Sequence, residues 1–127
     1  MPLAGAVSES NMNNMKVVKK NEIVRFEHGP TCAANEYPIN DKDINVAVIE
    51  LSGRYPEKGF AMNEISKELA YVMEGFGKIV VDGDEINVSE SDLVIVNPGE
   101  KFYWEGKMKL FMPCVPAWSP QQYKILK

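Results

Sequence analysis

The densest group of chemically useful side chains in this 127-residue sequence is aromatic: Phe102, Tyr103 and Trp104 stand in a row, and Trp118 follows. Alternate residues of an extended segment face opposite ways, so Phe102 and Trp104 share one side and Tyr103 takes the other. Rings on one side can fill a core, or they can form a wall on which a sugar, nucleotide or other flat molecule stacks. The single histidine, His28, precedes Gly29 and Pro30. That neighbourhood predicts a turn or strand end, with the imidazole in a surface or capping role. Two cysteines, Cys32 and Cys114, lie far apart and fall in no metal-ligand or redox spacing. Cys114, between Met112-Pro113 and Val115-Pro116, reads as a small buried hydrophobe, because no base stands near it to activate a thiolate.

The elements that must position these residues are short strands. From Lys16 onward, brief apolar runs alternate with turn residues, and no stretch of ten shows a clean helical period. The runs are 17–18, 23–26, 44–51, 69–73, 78–81, 85–88, 93–96, 102–104 and 108–112. Turns are predicted at Ser52-Gly53, Pro56 to Gly59, Glu74 to Gly77, Asp82-Gly83-Asp84, Ser89 to Asp92, Asn97-Pro98-Gly99 and Glu105-Gly106-Lys107. Asp82-Gly83 is the strongest hairpin signal, since glycine accepts the positive φ that a tight turn needs. Strands at such intervals call for a sandwich, jelly roll or small barrel, whose closure hides strand edges. One short helix is expected over 63–69. The three prolines within 113–120 predict a rim segment instead of a central strand, and 121–126 a single helical turn.

Composition excludes several classes of function. A chain this long can bury a core without disulfides, and its 45% hydrophobic and 25% charged residues are those of a globular protein. With 14 basic and 18 acidic residues the net charge is −4, which attracts neither nucleic acid nor an anionic membrane. Lys16, Lys19 and Lys20, broken by Val17 and Val18, read as a solvated strand edge. Residues 1–14, small and polar and without an apolar run, are expected to be a flexible tail, and 15–127 a single domain in a cytoplasmic protein.

Two blocks of the chain resemble those of the cupin superfamily. The first spans Glu68-Leu69-Ala70-Tyr71-Val72-Met73-Glu74-Gly75-Phe76-Gly77-Lys78-Ile79-Val80-Val81-Asp82-Gly83, with Glu68 standing ahead of Gly75 at the family's spacing. The second spans Ser91-Asp92-Leu93-Val94-Ile95-Val96-Asn97-Pro98-Gly99-Glu100-Lys101-Phe102, with Ser91 for the usual glycine. With the residues between, they cover about 59–104. The resemblance implies an all-β double-stranded β-helix, the jelly-roll barrel. It also implies three metal-binding histidines and a glutamate, of which only Glu68 is present. The first two histidine positions fall at Met62 and Glu64, or at Ala61 and Asn63, and the third at Phe102 or beside it. One carboxylate opposite a phenyl ring is no site for a catalytic first-row metal, so the expectation is a barrel without metal or other cofactor. Asn63, Glu64 and Glu68 could at most offer oxygens to a hard cation such as magnesium.

The same resemblance points Glu68 into the barrel. A buried carboxylate needs a partner or takes up a proton. Arg54, Lys101, Tyr103, Asn63 or a ligand are the candidates. The ligand-facing set implied is Asn63, Glu64, Glu68, Phe102, Trp104 and Trp118. Three functions compete. The first is a binder of a small polar molecule, sugar-like or carboxylate-bearing. The second is a metal-independent isomerase or epimerase, in which Glu68 with Tyr71 or Tyr103 stands in for the histidine and tyrosine of similar sugar epimerases. The third, a metal-dependent dioxygenase or decarboxylase, is familiar for the family and least supported by these residues. Outward apolar positions Leu69, Tyr71, Met73, Ile79 and Val81 are expected to join two copies in a homodimer.

Overall fold

A computed structural model describes residues 15–127, and the expected tail at 1–14 lies outside the described residues. Within them run nine strands: β1 (Val24–Glu27), β2 (Cys32–Tyr37), β3 (Asn45–Tyr55), β4 (Phe60–Asn63), β5 (Lys67–Val81), β6 (Asp84–Ser89), β7 (Leu93–Val96), β8 (Phe102–Val115) and β9 (Tyr123–Leu126). Single 3-10 turns at Lys20–Glu22 and Pro120–Gln122 are the helical segments described. The all-β expectation holds. Hydrogen bonds link the strands in the order β1-β2-β3-β8-β4-β9, and β5 leaves that path by pairing with β6, β7 and β8. Every pairing is antiparallel, and the sheet curls round an interior.

Strand β8 shows how sequence dictates the inside. Phe102, Trp104, Met108, Leu110, Met112 and Cys114 are buried at every second position, while Glu105, Lys107, Phe111 and Val115 alternate with them on the outside. This is the period-two pattern of a half-buried strand. Leu110 meets Ile49 on β3 and Val72 on β5, and Trp104 meets Tyr55 and Ile79. Ile79, Leu110 and Val72 are fully enclosed, each contributing about 2 kcal/mol of apolar transfer free energy. Ile79 therefore belongs to the core and is not available to the dimer surface expected from the sequence. Among the described residues no helix is long and apolar enough to cross a membrane.

Three of the predicted turns are corners inside long strands. Gly53 on β3 pairs with Gly106 on β8, which pairs in turn with Gly77 on β5. A Cβ on Gly106 would sit 2.6 Å from the Gly77 Cα, and Gly106 holds φ at 141°. Only glycine permits that approach and that torsion. Strand β5 also carries an irregularity between Val72 and Glu74. Bulges and glycine corners of this kind let strands bend sharply enough to wrap a core.

Other expectations give way to pairing. In place of a helix over 63–69, β4 ends at Asn63 and β5 begins at Lys67. The corner between them is held by Gln122, whose Oε1 accepts from Ile65 N at 2.8 Å and Ser66 N at 2.6 Å. Pro113 lies within β8, paired with Val46, where the β5 ladder steps from Cys114 to Phe111 and asks no N–H of it. Residues 17–18 are irregular, and the expected terminal helix reduces to the 3-10 turn before β9.

Candidate functional site

The curled sheet encloses a cavity of about 170 Å³. A cavity on the order of 150 Å³ holds a benzene-sized ring, so this one accommodates a single ring with substituents. Most of its lining is apolar, Leu51, Leu110, Ile49 and Met112 among it, and a few polar and aromatic side chains complete it. Register explains the arrangement: Asn45, Cys114 and Glu68 stand side by side on β3, β8 and β5, with Glu36, Ala47 and Met112 in the next inward row. On the far side of the glycine corner, Tyr55 and Trp104 stand together.

Glu68 is buried and points inward. Cys114 Sγ donates to its Oε2 at 3.8 Å, and Asn63 hydrogen-bonds it as well. Burial nevertheless raises its pKa above the ordinary carboxyl value, outweighing the help of Asn63 and Cys114. Asn63 Oδ1 in turn accepts from Trp118 Nε1 at 2.9 Å. The Trp118 backbone is clamped by Asn45, whose Oδ1 accepts from Trp118 N at 2.9 Å and whose Nδ2 donates to Trp118 O at 3.3 Å. Two amide side chains thus fix the Trp118 indole and link it to the acid.

Glu36, Tyr55 and Tyr123, which the sequence did not single out, also line the cavity, and so does His28, which the sequence placed in a surface role. Glu36 is 6% exposed, and its Oε1 has no hydrogen-bond partner among the described residues. Burial raises its pKa too. Trp104 Nε1, equally enclosed, is likewise without an acceptor among the described residues. Tyr123 donates its hydroxyl to the Tyr55 hydroxyl at 3.4 Å, and the His28 ring lies 6.3 Å from that of Tyr55. Burial lowers the His28 pKa, favouring a neutral imidazole, and raises those of both tyrosines. His28 stands just past the end of β1, as the sequence predicted, but it is half-buried and lines the cavity instead of capping the surface. The faint signal was β2 itself, where Cys32, Ala34 and Glu36 share a face and carry the acid inward.

The remaining candidates do not converge. Glu64 is exposed and faces Lys124 at 3.9 Å, so it lines nothing. Tyr71 lies on the outer face, bonded to Ser91 Oγ at 3.3 Å. Tyr103, also outward, lies under the Arg54 guanidinium at 3.7 Å, and Arg54 donates to the carbonyls of Pro56 and Gly59. Neither Arg54 nor Lys101 reaches Glu68, and neither Tyr71 nor Tyr103 can act with it. Phe102, Trp104 and Trp118 do line the cavity, while Asn63 stands behind Glu68 and Trp118. The donors do not suit the metal that the resemblance would bring. Phe102 supplies none, Asn63 is committed to Trp118, and among the described residues no group of three or more His, Cys, Asp or Glu could hold an ion. The two thiols are inert by burial, Cys32 pushed up to about 12 and Cys114 pushed up as well.

No protein-family model matches the sequence, and no curated protein matches it. Solved structures do. A variant of Streptomyces Pac13 with uridine superposes with a TM-score of 0.80 at 19% identity, over 87% of this chain and 90% of that one. Pac13 is a nucleoside dehydratase. KdgF from Halomonas sp. gives 0.69 at 12% identity, over 84% and 98% of the two chains. Ectoine synthase from P. lautus gives 0.69 at 16%, over 89% and 91%. At these identities the likeness is one of fold.

Proposed function

The chain has the cupin fold, and from that premise we propose that it is a small-molecule binder whose barrel takes one ring-sized polar molecule bearing hydroxyl or N–H groups. The observation that carries this reading is a pair of buried polar atoms without a hydrogen-bond partner among the described residues, Glu36 Oε1 and Trp104 Nε1, on two side chains that line one cavity. Buried polar atoms are almost always satisfied, and leaving two unmatched costs about 1–3 kcal/mol each. A ligand that supplies both partners offsets that cost. The rings of Trp118 and Tyr123, edge to face at 5.5 Å, give such a ligand an apolar wall. A sugar-like molecule suits the lining better than a carboxylate-bearing one, because the described lining residues include two acids and neither lysine nor arginine. Uridine in the similarly folded Pac13 supports a molecule of this kind.

A second reading, a metal-independent isomerase or epimerase, is favoured by one observation: the Tyr55–Tyr123 hydroxyl pair shares the cavity with Glu68. In it those tyrosines replace Tyr71 and Tyr103 as acid, with Glu68 the group that takes and returns the proton.

A thermal-shift screen of sugars, nucleosides and small carboxylates tests the first reading. Hydroxyl-bearing neutral rings should raise the Tm; stabilisation by carboxylates alone, or by nothing, would overturn it. Glu68→Gln then separates the readings. A binder keeps its affinity within about threefold, whereas an enzyme loses turnover with binding intact.

A further inference from the structure

We propose that this cavity selects a hydroxylated organic cation, a ring-sized amine whose ammonium group seats at Glu36 and whose oxygen accepts from Trp104 Nε1. The proposal rests on the cavity being the binding site, and it adds the sign of the ligand's charge.

The cavity carries a mismatch of charge. Glu36 and Glu68 both line the cavity, and no lysine or arginine is among the described lining residues. Both arginines are spent elsewhere: Arg54 on the carbonyls of Pro56 and Gly59 and on the Tyr103 ring, Arg25 on Glu27 and Glu50 at the surface. Glu68 has Asn63 and Cys114 to bond it, but among the described residues Glu36 Oε1 has no hydrogen-bond partner. A buried carboxyl without a partner stays protonated, whereas an ammonium arriving beside it converts the site into an enclosed, hydrogen-bonded ion pair. A neutral hydroxyl supplies only one ordinary hydrogen bond, and an anion supplies repulsion once either acid ionises.

The walls favour the same charge. Tyr55, Phe102, Trp104, Trp118 and Tyr123 all line the cavity, and the negative faces of such rings attract a desolvated cation. The chain's net charge of −4 attracts cations toward the molecule as a whole. Trp104 adds a requirement that a bare alkylamine fails, since its free N–H needs an acceptor. An amino sugar or cyclic amino alcohol answers both unpaired atoms.

Isothermal titration at neutral pH with glucosamine, glucose and glucuronate tests this directly, one ring size in three charge states. Glucosamine should bind at least about tenfold more tightly than glucose, and glucuronate least. Glu36→Gln should bring glucosamine down to the affinity of glucose while leaving glucose nearly unchanged. Equal or tighter binding of glucose by the unaltered protein overturns the proposal, and that comparison stands even if the variant fails to fold. If none of the three binds while a neutral nucleoside raises the Tm, the cation proposal falls and the binding reading survives. Absence of binding by compounds of every charge defeats both.

Discussion

At the scale of single residues, the two interior acids dominate. Each has a pKa raised by burial above the ordinary 4.5, so the folded protein holds protons that the unfolded chain releases. Stability from this source is full below about 4.5 and is lost as pH rises toward the folded-state values. His28 works in the opposite sense: its pKa is lowered from 6.5, so stability is lost as pH falls from 6.5 toward its folded-state value. The acids' part is isolated by subtraction. The Tm of wild type relative to Glu68→Gln should fall in the unliganded protein as pH rises above about 4.5 toward the folded-state value, and a flat difference would mean that Glu68 is ionised in the fold. Glu36→Leu should stabilise the unliganded protein by roughly 1–2 kcal/mol in urea denaturation, since it removes an unpaired buried carboxyl, and should abolish ligand stabilisation. Lower stability for that variant would mean that the carboxyl has a partner in the folded state.

At the scale of elements, the glycine corner carries the largest expected effect. Gly106→Ala sets a Cβ against the Gly77 Cα at 2.6 Å in a left-handed backbone, and should cost at least about 3 kcal/mol in urea denaturation. Gly83→Ala shares the positive φ but meets nothing within 4 Å, and should cost only about 1 kcal/mol. The contrast also shows what a single sequence can reveal. Both glycines read as turns, because composition signals a break in an apolar run without saying whether the chain reverses or bends. Gly83 reverses it and Gly106 bends it, and only the pairing with Gly53 and Gly77 tells them apart. The candidate site was legible to the same degree. Glu68, Phe102 and Trp104 lie in blocks with a familiar spacing, so the sequence could point them inward. His28, Glu36, Tyr55 and Tyr123 come from the turn after β1, from β2, from the end of β3 and from β9, and they meet through long-range register that no local spacing encodes.

At the scale of the whole molecule, two surfaces matter, one outside and one inside. On the outer face Tyr71 pairs with Leu93 on β7 and with Phe111 on β8, and Leu69 pairs with Ile95. Leu93 and Ile95 are about half exposed, with Met73 beside them on β5. A contiguous apolar strip of this size suits an isologous contact, and a homodimer of 14.3 kDa chains is the expected species in sedimentation at micromolar concentration. Phe111→Lys should give monomer; a wild-type protein that sediments as monomer would show that the strip serves something else. On the inner surface, the account turns on an indole N–H left without an acceptor until a ligand arrives. The chain has two tryptophans, so an amide correlation spectrum should show two indole N–H signals, assigned by Trp104→Phe. Titration with any compound that raises the Tm should move the Trp104 signal downfield and saturably, while the Trp118 signal, already bonded to Asn63, stays nearly fixed. A stabilising compound that leaves the Trp104 signal where it was would contradict the account.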